Sequence, residues 1–523
     1  MQICVNLTRH DAENAEIYTQ EIVDLARRID IEEGVQFLES SRVFVDEIGV
    51  QKWANRYLES QYLRYIDYLK AGLFSSVKEL EKQIIRIAST SENREEAIAN
   101  YLDDYDITAE SLLEDVLRRL MQAFLDLPRY GLDSFLSSRV RHGSFVGYLR
   151  APLETRKVVT KKVADSSKYQ ENETLLISWK ITGDKERKTI IAKLASFSEA
   201  IDTILERAVS KYLHVRSPTR PEGLVAFGAE QGTGGQAIKL WLLALKVTLT
   251  EDTSLDQLTS YCFHTYFWPS LKYSLACVQS YVKEELRDEF DRAIDQLING
   301  INPSLDATQR EFIRGEIVHV RREMSAALAR VALWFDLPKQ STHLLKMSLR
   351  HCLEIGLVST KHIMPNFAPD VRWDISDGAD ISINGPVIGS INDIAYVIFA
   401  NIAKHSGFEE NFGQNKSALG IDVRITDTGN FVSVHVESDI GESKDISAII
   451  EGIATAKKRI GEGDFASVTQ QIRGTGLVRL AMTLNPADST SNQQCEFGLT
   501  DSSRFFVNFQ ISKALYGTVQ ENG

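Results

Sequence analysis

One helix end and one glycine pair carry most of the chemistry this sequence offers. Residues 391–407, INDIAYVIFANIAKHSG, have the apolar spacing of an amphipathic helix. Asn401, Lys404 and His405 gather at its end. The side-chain carbonyl of Asn401 can ligate a hard divalent ion such as magnesium without adding charge. Lys404, one turn on, is placed to reach a phosphate. About 70 residues later comes Arg473-Gly474-Thr475-Gly476-Leu477. The pattern predicts a helix over Leu477–Leu484 opened by these glycines, whose backbone N–H groups and positive end favour phosphate. Arg473 beside them is a candidate charge partner.

Together with a strand expected over Phe505–Ile511, these segments resemble the ATP-binding domain of the GHKL superfamily. That superfamily includes sensor histidine kinases, gyrase, a class of heat-shock chaperones and MutL. The Asn401-Ile402-Ala403-Lys404-His405 ending is similar to that of one group of histidine kinases, and the resemblance covers the last third of the chain. It implies that Asn401 coordinates the Mg2+ bridging the phosphates of ATP, with Lys404 and His405 beside it. It also implies that Gly474, Thr475, Gly476 and Leu477 form the second glycine box.

In the family, an aspartate at the end of a strand hydrogen-bonds the adenine amino group. Two strands are expected here, Ala418–Thr426 and Phe431–Glu437, and Ser438 falls where the aspartate belongs. Asp439 and Gly441 follow, with one glycine of the family pattern missing. Either Asp439 takes over after a local shift or adenine recognition is weak. Asp427-Thr428-Gly429 reads as a hairpin turn. Glu442–Gln471, with a helix over Ile446–Ile460, is expected to be a lid hinged on glycines. Hydrolysing members carry a general-base glutamate four residues before the asparagine; here that position is Val397. Valine cannot take a proton from water, so fast hydrolysis is not expected.

These residues need a scaffold. Before them, residues 301–360 read as a helical hairpin that resembles the dimerisation hairpin of histidine kinases: a helix over Asp306–Phe335, a turn at Pro338–Ser341, and a return helix over Thr342–Ser359. The first helix carries an apolar stripe at Ile313, Ile317, Val320, Met324, Leu328, Val331 and Phe335. Such a stripe is costly to expose, so either the N-terminal helices or a second copy must cover it, and a homodimer is expected. His319 lies off the stripe with Glu316 and Glu323 at helical spacing, and is the candidate phosphoacceptor. A kinase of this type would pass its phosphate to a response regulator. His351 is a weaker rival.

The remainder is mostly helical by pattern. Residues 1–215 hold amphipathic segments at Ala12–Ile29, Val50–Ala71, Val77–Ile87, Ser111–Leu127 and Thr189–Leu213, with a small β insertion expected at Thr174–Ile181. Residues 216–300 begin with a Pro/Gly-rich connection, Arg216–Gly235. Helices resume at Ala237–Val247 and Ser270–Asn299. Residues 366–515 would be the ATP-binding domain. The expected fold is thus a long α-helical region, a hairpin, and a C-terminal α/β sandwich of the histidine-kinase type.

A chain of 523 residues implies two to four domains. A net charge of −13 argues against general nucleic-acid binding. The basic island 139–162 is the only candidate surface for an anionic partner. Five scattered cysteines fit free thiols in a reducing compartment rather than zinc. No signal-like or membrane-spanning run is evident, so a cytoplasmic location is expected. The aromatic run Tyr261–Tyr273 reads as packing.

Overall fold

The structure is a computed structural model. It describes mainly residues 14–70, 108–227, 241–337, 346–408, 419–441, 445–462, 476–484 and 495–513, apart from a few short gaps. Two hydrophobic cores organise them, one built from residues 43–335 with Ile363 and the other from residues 349–511.

The first core is helical. Its long helix Ala307–Leu333 starts at Asp306, whose carboxylate accepts from Gln309 N (2.8 Å) while Asp306 N donates to Gln309 Oε1 (2.9 Å). This reciprocal cap fixes the start of the helix. The aromatic run packs as expected: Phe263 and Phe267 close around Phe124, with ring centroids 5.3 and 5.2 Å away. The expected β insertion is instead a short helix, Glu173–Ser178. Asn172 caps it by accepting from Leu175 N at 3.1 Å, and Leu175 and Leu176 are buried. Cap and burial override the β-branched Thr174 and Ile177. The expected helix Val77–Ile87 lies outside the described residues.

Among the described residues, the two helices expected as a hairpin bury most of their apolar side chains in different places. The whole stripe from Ile313 to Phe335 is buried in the first core by this chain's own N-terminal helices, so it carries no argument for a second copy. Within the span expected for the return helix, Lys346–Ser348 form strand β1. The helix starts only at Leu349, capped by Ser348, and runs to Ile363. It buries Leu349, Cys352 and Leu353 in the second core. Its last residue, Ile363, is buried in the first core, so this helix spans the boundary between the two. The turn 338–341, with Leu344 and Leu345, lies outside the described residues.

The second core sits on a five-stranded sheet of β2 (Asp370–Ile375), β4 (Gly420–Asp427), β5 (Phe431–Ser438), β6 (Cys495–Leu499) and β7 (Phe505–Ser512), in the order β2-β4-β5-β7-β6. Only β2 and β4 run parallel. β1 pairs separately with β3 (Ser382–Asn384). Alternation is strict: Val432, Val434, Val436 and Ser438 are buried, while Ser433, His435 and Glu437 face outward. The helices Leu349–Ile363, Gly385–His405, Ile446–Glu462 and Gly476–Leu484 contribute buried side chains to this core.

Candidate nucleotide site

The helix that carries Asn401 spans Gly385–His405. Ile391, Ile394, Ile398 and Ile402 bury one face in the sheet core. It ends where Ser406 N donates to Ile402 O (2.9 Å) and Gly407 takes φ +83°, a left-handed conformation that glycine adopts freely. Asn401 is half-buried one turn before that end, and Lys404 and His405 are exposed.

Asn401 meets Gly476, a described residue of the segment expected as the second glycine box. Gly476 opens the helix Gly476–Leu484 so close to Asn401 that an added Cβ would lie 2.7 Å from Oδ1 and 2.8 Å from Nδ2. The Nδ2 atom is buried with no hydrogen-bond partner among the described residues, and such a group is costly without a ligand. A neutral carboxamide beside a helix N-terminus suits a magnesium–phosphate group. Asn401 and the Gly476 end would hold it, and the ion would supply charge neutralisation at the phosphates. Leu477 is half-buried against the second core. Arg473, Gly474 and Thr475 lie outside the described residues.

At the other end of the site, β5 delivers Ser438 to the helix-facing side of the sheet, 1% exposed. Gly441 N donates to Ser406 O (2.6 Å), and a Cβ on Gly441 would come within 3.2 Å of that oxygen. The missing side chain lets the backbone reach the end of the Asn401 helix. Asp439 is placed differently. Its carboxylate accepts from Gly420 N (3.0 Å) and from Arg504 Nε (2.8 Å). Arg504 also pairs with Asp422 (2.8 Å) and Glu437 (3.0 Å) on the outward side. Among the described residues, Asp439 is therefore tied to an outward ion-pair cluster, and Ser438 is the polar side chain facing the helices. Val397 is half-buried against the core, with no carboxylate at its position. Asp427-Thr428-Gly429 is the hairpin turn, with Gly429 at φ +87° and its N–H bonded to Asp427 (2.8 Å). The segment expected as a lid contains, among its described residues, the helix Ile446–Glu462.

His319 is exposed on the first-core helix, its Nδ1 3.5 Å from Arg322 Nη2. The two glutamates at helical spacing are engaged elsewhere, with Arg156 reaching Glu323 (2.5 Å) and Glu316 (3.7 Å). The guanidinium holds the Glu323 carboxyl below its usual range. His351 is half-buried in the first turn of the Leu349–Ile363 helix.

The arginines of the basic island are internal ties. Arg139 pairs with Asp393 (2.7 Å), Arg141 with Asp133 (2.7 Å), Arg150 with Glu154 and Asp202, and Arg156 with Glu323. Lys157, Lys161 and Lys162 stay on the surface. Two contacts reach the Asn401 helix directly, Arg139–Asp393 and the Ser144 Oγ–Tyr396 hydroxyl bond (3.0 Å). No local sequence pattern marks them, because their partners lie 254 and 252 residues apart.

The four described cysteines are free, no described helix is long and apolar enough to cross a membrane, and no group of metal-ligating side chains forms among the described residues.

A helical N-terminal region joined to a five-stranded sheet, with its helices and glycine-opened turn, defines a protein whose C-terminal domain is histidine-kinase-like. The chain belongs to the Y4jQ family, whose model matches residues 52–335. A companion model described as "y4jQ C-terminal putative histidine kinase domain" matches residues 348–512. A relative, "Uncharacterized protein y4jQ" of Sinorhizobium fredii (strain NBRC 101917 / NGR234), is 22% identical over 506 residues, 95% of this chain. The chain spans 46% of that relative's length. A solved histidine kinase domain, from the blue-light activated histidine kinase of Erythrobacter litoralis EL346, aligns at 14% identity with a TM-score of 0.20. That alignment covers 42% of this chain and 95% of the solved domain.

Proposed function

We propose that the C-terminal domain binds ATP with Mg2+ and that binding switches the arrangement of the helical region, in a cytoplasmic protein of bacterial signalling or phage defence. The observation that carries this reading is the contact of Asn401 with Gly476, where a buried carboxamide nitrogen has no partner among the described residues. Val397 in place of a carboxylate supports slow turnover, and so a binding switch rather than an ATPase. Calorimetric titration tests it. Magnesium-dependent ATP binding should be abolished by Asn401→Ala; no binding to the unaltered chain would leave a helical scaffold with a dead nucleotide site.

The exposure of His319 favours a second reading, an active histidine kinase that phosphorylates this residue and a response regulator in turn. Incubation with labelled ATP separates the two. Acid-labile phosphate that disappears in His319→Ala supports the kinase, and its absence in the unaltered chain supports the switch.

A further inference from the structure

We infer that Arg139 is a positioning residue for the nucleotide site, holding the Asn401 helix in place through Asp393. The inference rests on the proposed nucleotide site and adds the element that aligns it. Asp393 precedes Asn401 by eight residues on one helix, a rise of about 12 Å.

The tie is built in detail. Arg139 Nε and Nη2 both lie 2.7 Å from Asp393 Oδ2, and the side chains are only 11% and 23% exposed. The guanidinium lies 4.5 Å from the centroid of Phe44 and 5.2 Å from that of Phe135, which restricts its rotation. Arg42 Nη1 donates to the carbonyl of Arg139 at 2.8 Å, fixing the backbone behind it. Gly389, one turn before Asp393, leaves room for the guanidinium: a Cβ there would lie 3.1 Å from Nη2. Burial pushes the Asp393 carboxyl above its usual range, and Arg139 opposes that shift.

The consequence is mechanical. The Asn401 helix is clasped between the sheet core on one side and Arg139, with Ser144 on Tyr396, on the other. Magnesium demands near-ideal ligand geometry, so a small slide of this helix at Asp393 would move Asn401 out of register. Coupling of this kind is reciprocal: a nucleotide that fixes Asn401 also strengthens the hold of the N-terminal region. The basic island of the sequence thus contains a device for aligning the site.

The test uses the full chain and two measurements on Arg139→Gln and Asp393→Asn. Phe124→Leu, in the distant aromatic cluster, serves as a control of comparable thermal destabilisation. In the absence of nucleotide, amide hydrogen exchange over residues 397–405 should accelerate by about tenfold in both tie variants and not in the control. The affinity for magnesium-ATP should fall by about fivefold or more in both, with partial recovery in Arg139→Lys. Unchanged exchange in the tie variants, or equal acceleration in Phe124→Leu, overturns the inference. Should the unaltered chain bind no ATP, the nucleotide reading fails while the exchange measurement still decides the role of Arg139.

Discussion

Gly476→Ala separates binding from folding more sharply than any other single change. The added methyl would lie 2.7 Å from Asn401 Oδ1, 2.8 Å from Nδ2 and 3.2 Å from Cγ. A comfortable contact is about 3.5 Å, so the carboxamide must retreat by roughly 0.7 Å. The obstructing atoms are the tip of a rotatable side chain, which makes the retreat inexpensive to the fold. Alanine is also a better helix former than glycine, by up to about 1 kcal/mol. The two effects oppose, and thermal stability should stay within about 1 kcal/mol of the unaltered chain. Binding has no such tolerance, because magnesium holds its ligands at about 2.0–2.1 Å in strict geometry. Magnesium-ATP affinity should therefore fall at least about tenfold, or ~1.4 kcal/mol. Gly452→Ala, inside the helix Ile446–Glu462 where a Cβ meets nothing within 4 Å, should leave affinity unchanged and raise stability by up to about 1 kcal/mol. Calorimetric titration beside a thermal melt reads both quantities. Unaltered affinity in Gly476→Ala would refute the assignment of Asn401 as the metal ligand.

Gly356→Ala should be the opposite kind of variant, since its Cβ would lie 2.4 Å from Ala395 Cβ and 3.0 Å from Tyr396 N where two helices cross. It should cost about 1–3 kcal/mol in a denaturant titration, and a neutral outcome would mean the helices separate freely. A pH dependence follows from His214, whose Nδ1 is 2.7 Å from Arg220 Nη1 and 3.7 Å from Asp133 Oδ1. Burial, with Arg141 and Arg220, holds its pKa below the ordinary value despite Asp133. The unfolded chain takes up a proton below about pH 6.5 that the folded ring resists, so stability falls as pH drops through that value. Burial alone would raise the Asp133 carboxyl, but His214 and Arg141 hold it well below the carboxylate range, adding a further loss below about pH 4. Denaturant midpoints should decline from pH 7 to 5 and flatten over that interval in His214→Gln; a flat profile in the unaltered chain contradicts the argument.

Much of the C-terminal domain was legible because its signals are local. The Gly385–His405 helix, the alternation of β5 and the glycines that break or open helices are all read within a few residues, and each physical cause acts over the same distance. Asn172 decided the fate of residues 173–178 through a single cap, a local signal that β-branched Thr174 and Ile177 obscured. What remained hidden depends on partners far along the chain. Three residues, Lys346–Ser348, form a strand only because Ser382–Asn384 lie beside them. The arginines of residues 139–156 look like a basic surface until Asp393, Asp202 and Glu323 arrive from 254, 52 and 167 residues away.

The burial of the two helices expected as a hairpin has the same origin. An apolar stripe states that something must cover it, since leaving several large side chains in water is costly. It does not state what. Two consecutive amphipathic helices meet that demand equally well by packing on each other, on a second copy, or on separate cores, and periodicity is identical in all three cases. Here the stripe from Ile313 to Phe335 is satisfied by the helices before it, and Leu349, Cys352 and Leu353 by the sheet domain after it. The boundary between the two cores runs through the second of these helices, whose last residue, Ile363, is buried in the first core, so this helix itself joins them by apolar packing. Polar contacts join them as well: Arg139 on Asp393, Ser144 on Tyr396, and Arg27 on Glu354 (2.9 Å). All three end on the Asn401 helix or on the helix packed against it. A rearrangement of the N-terminal region would therefore act on the proposed nucleotide site through the Asn401 helix, and this is the route by which a ligand at either end would be felt at the other.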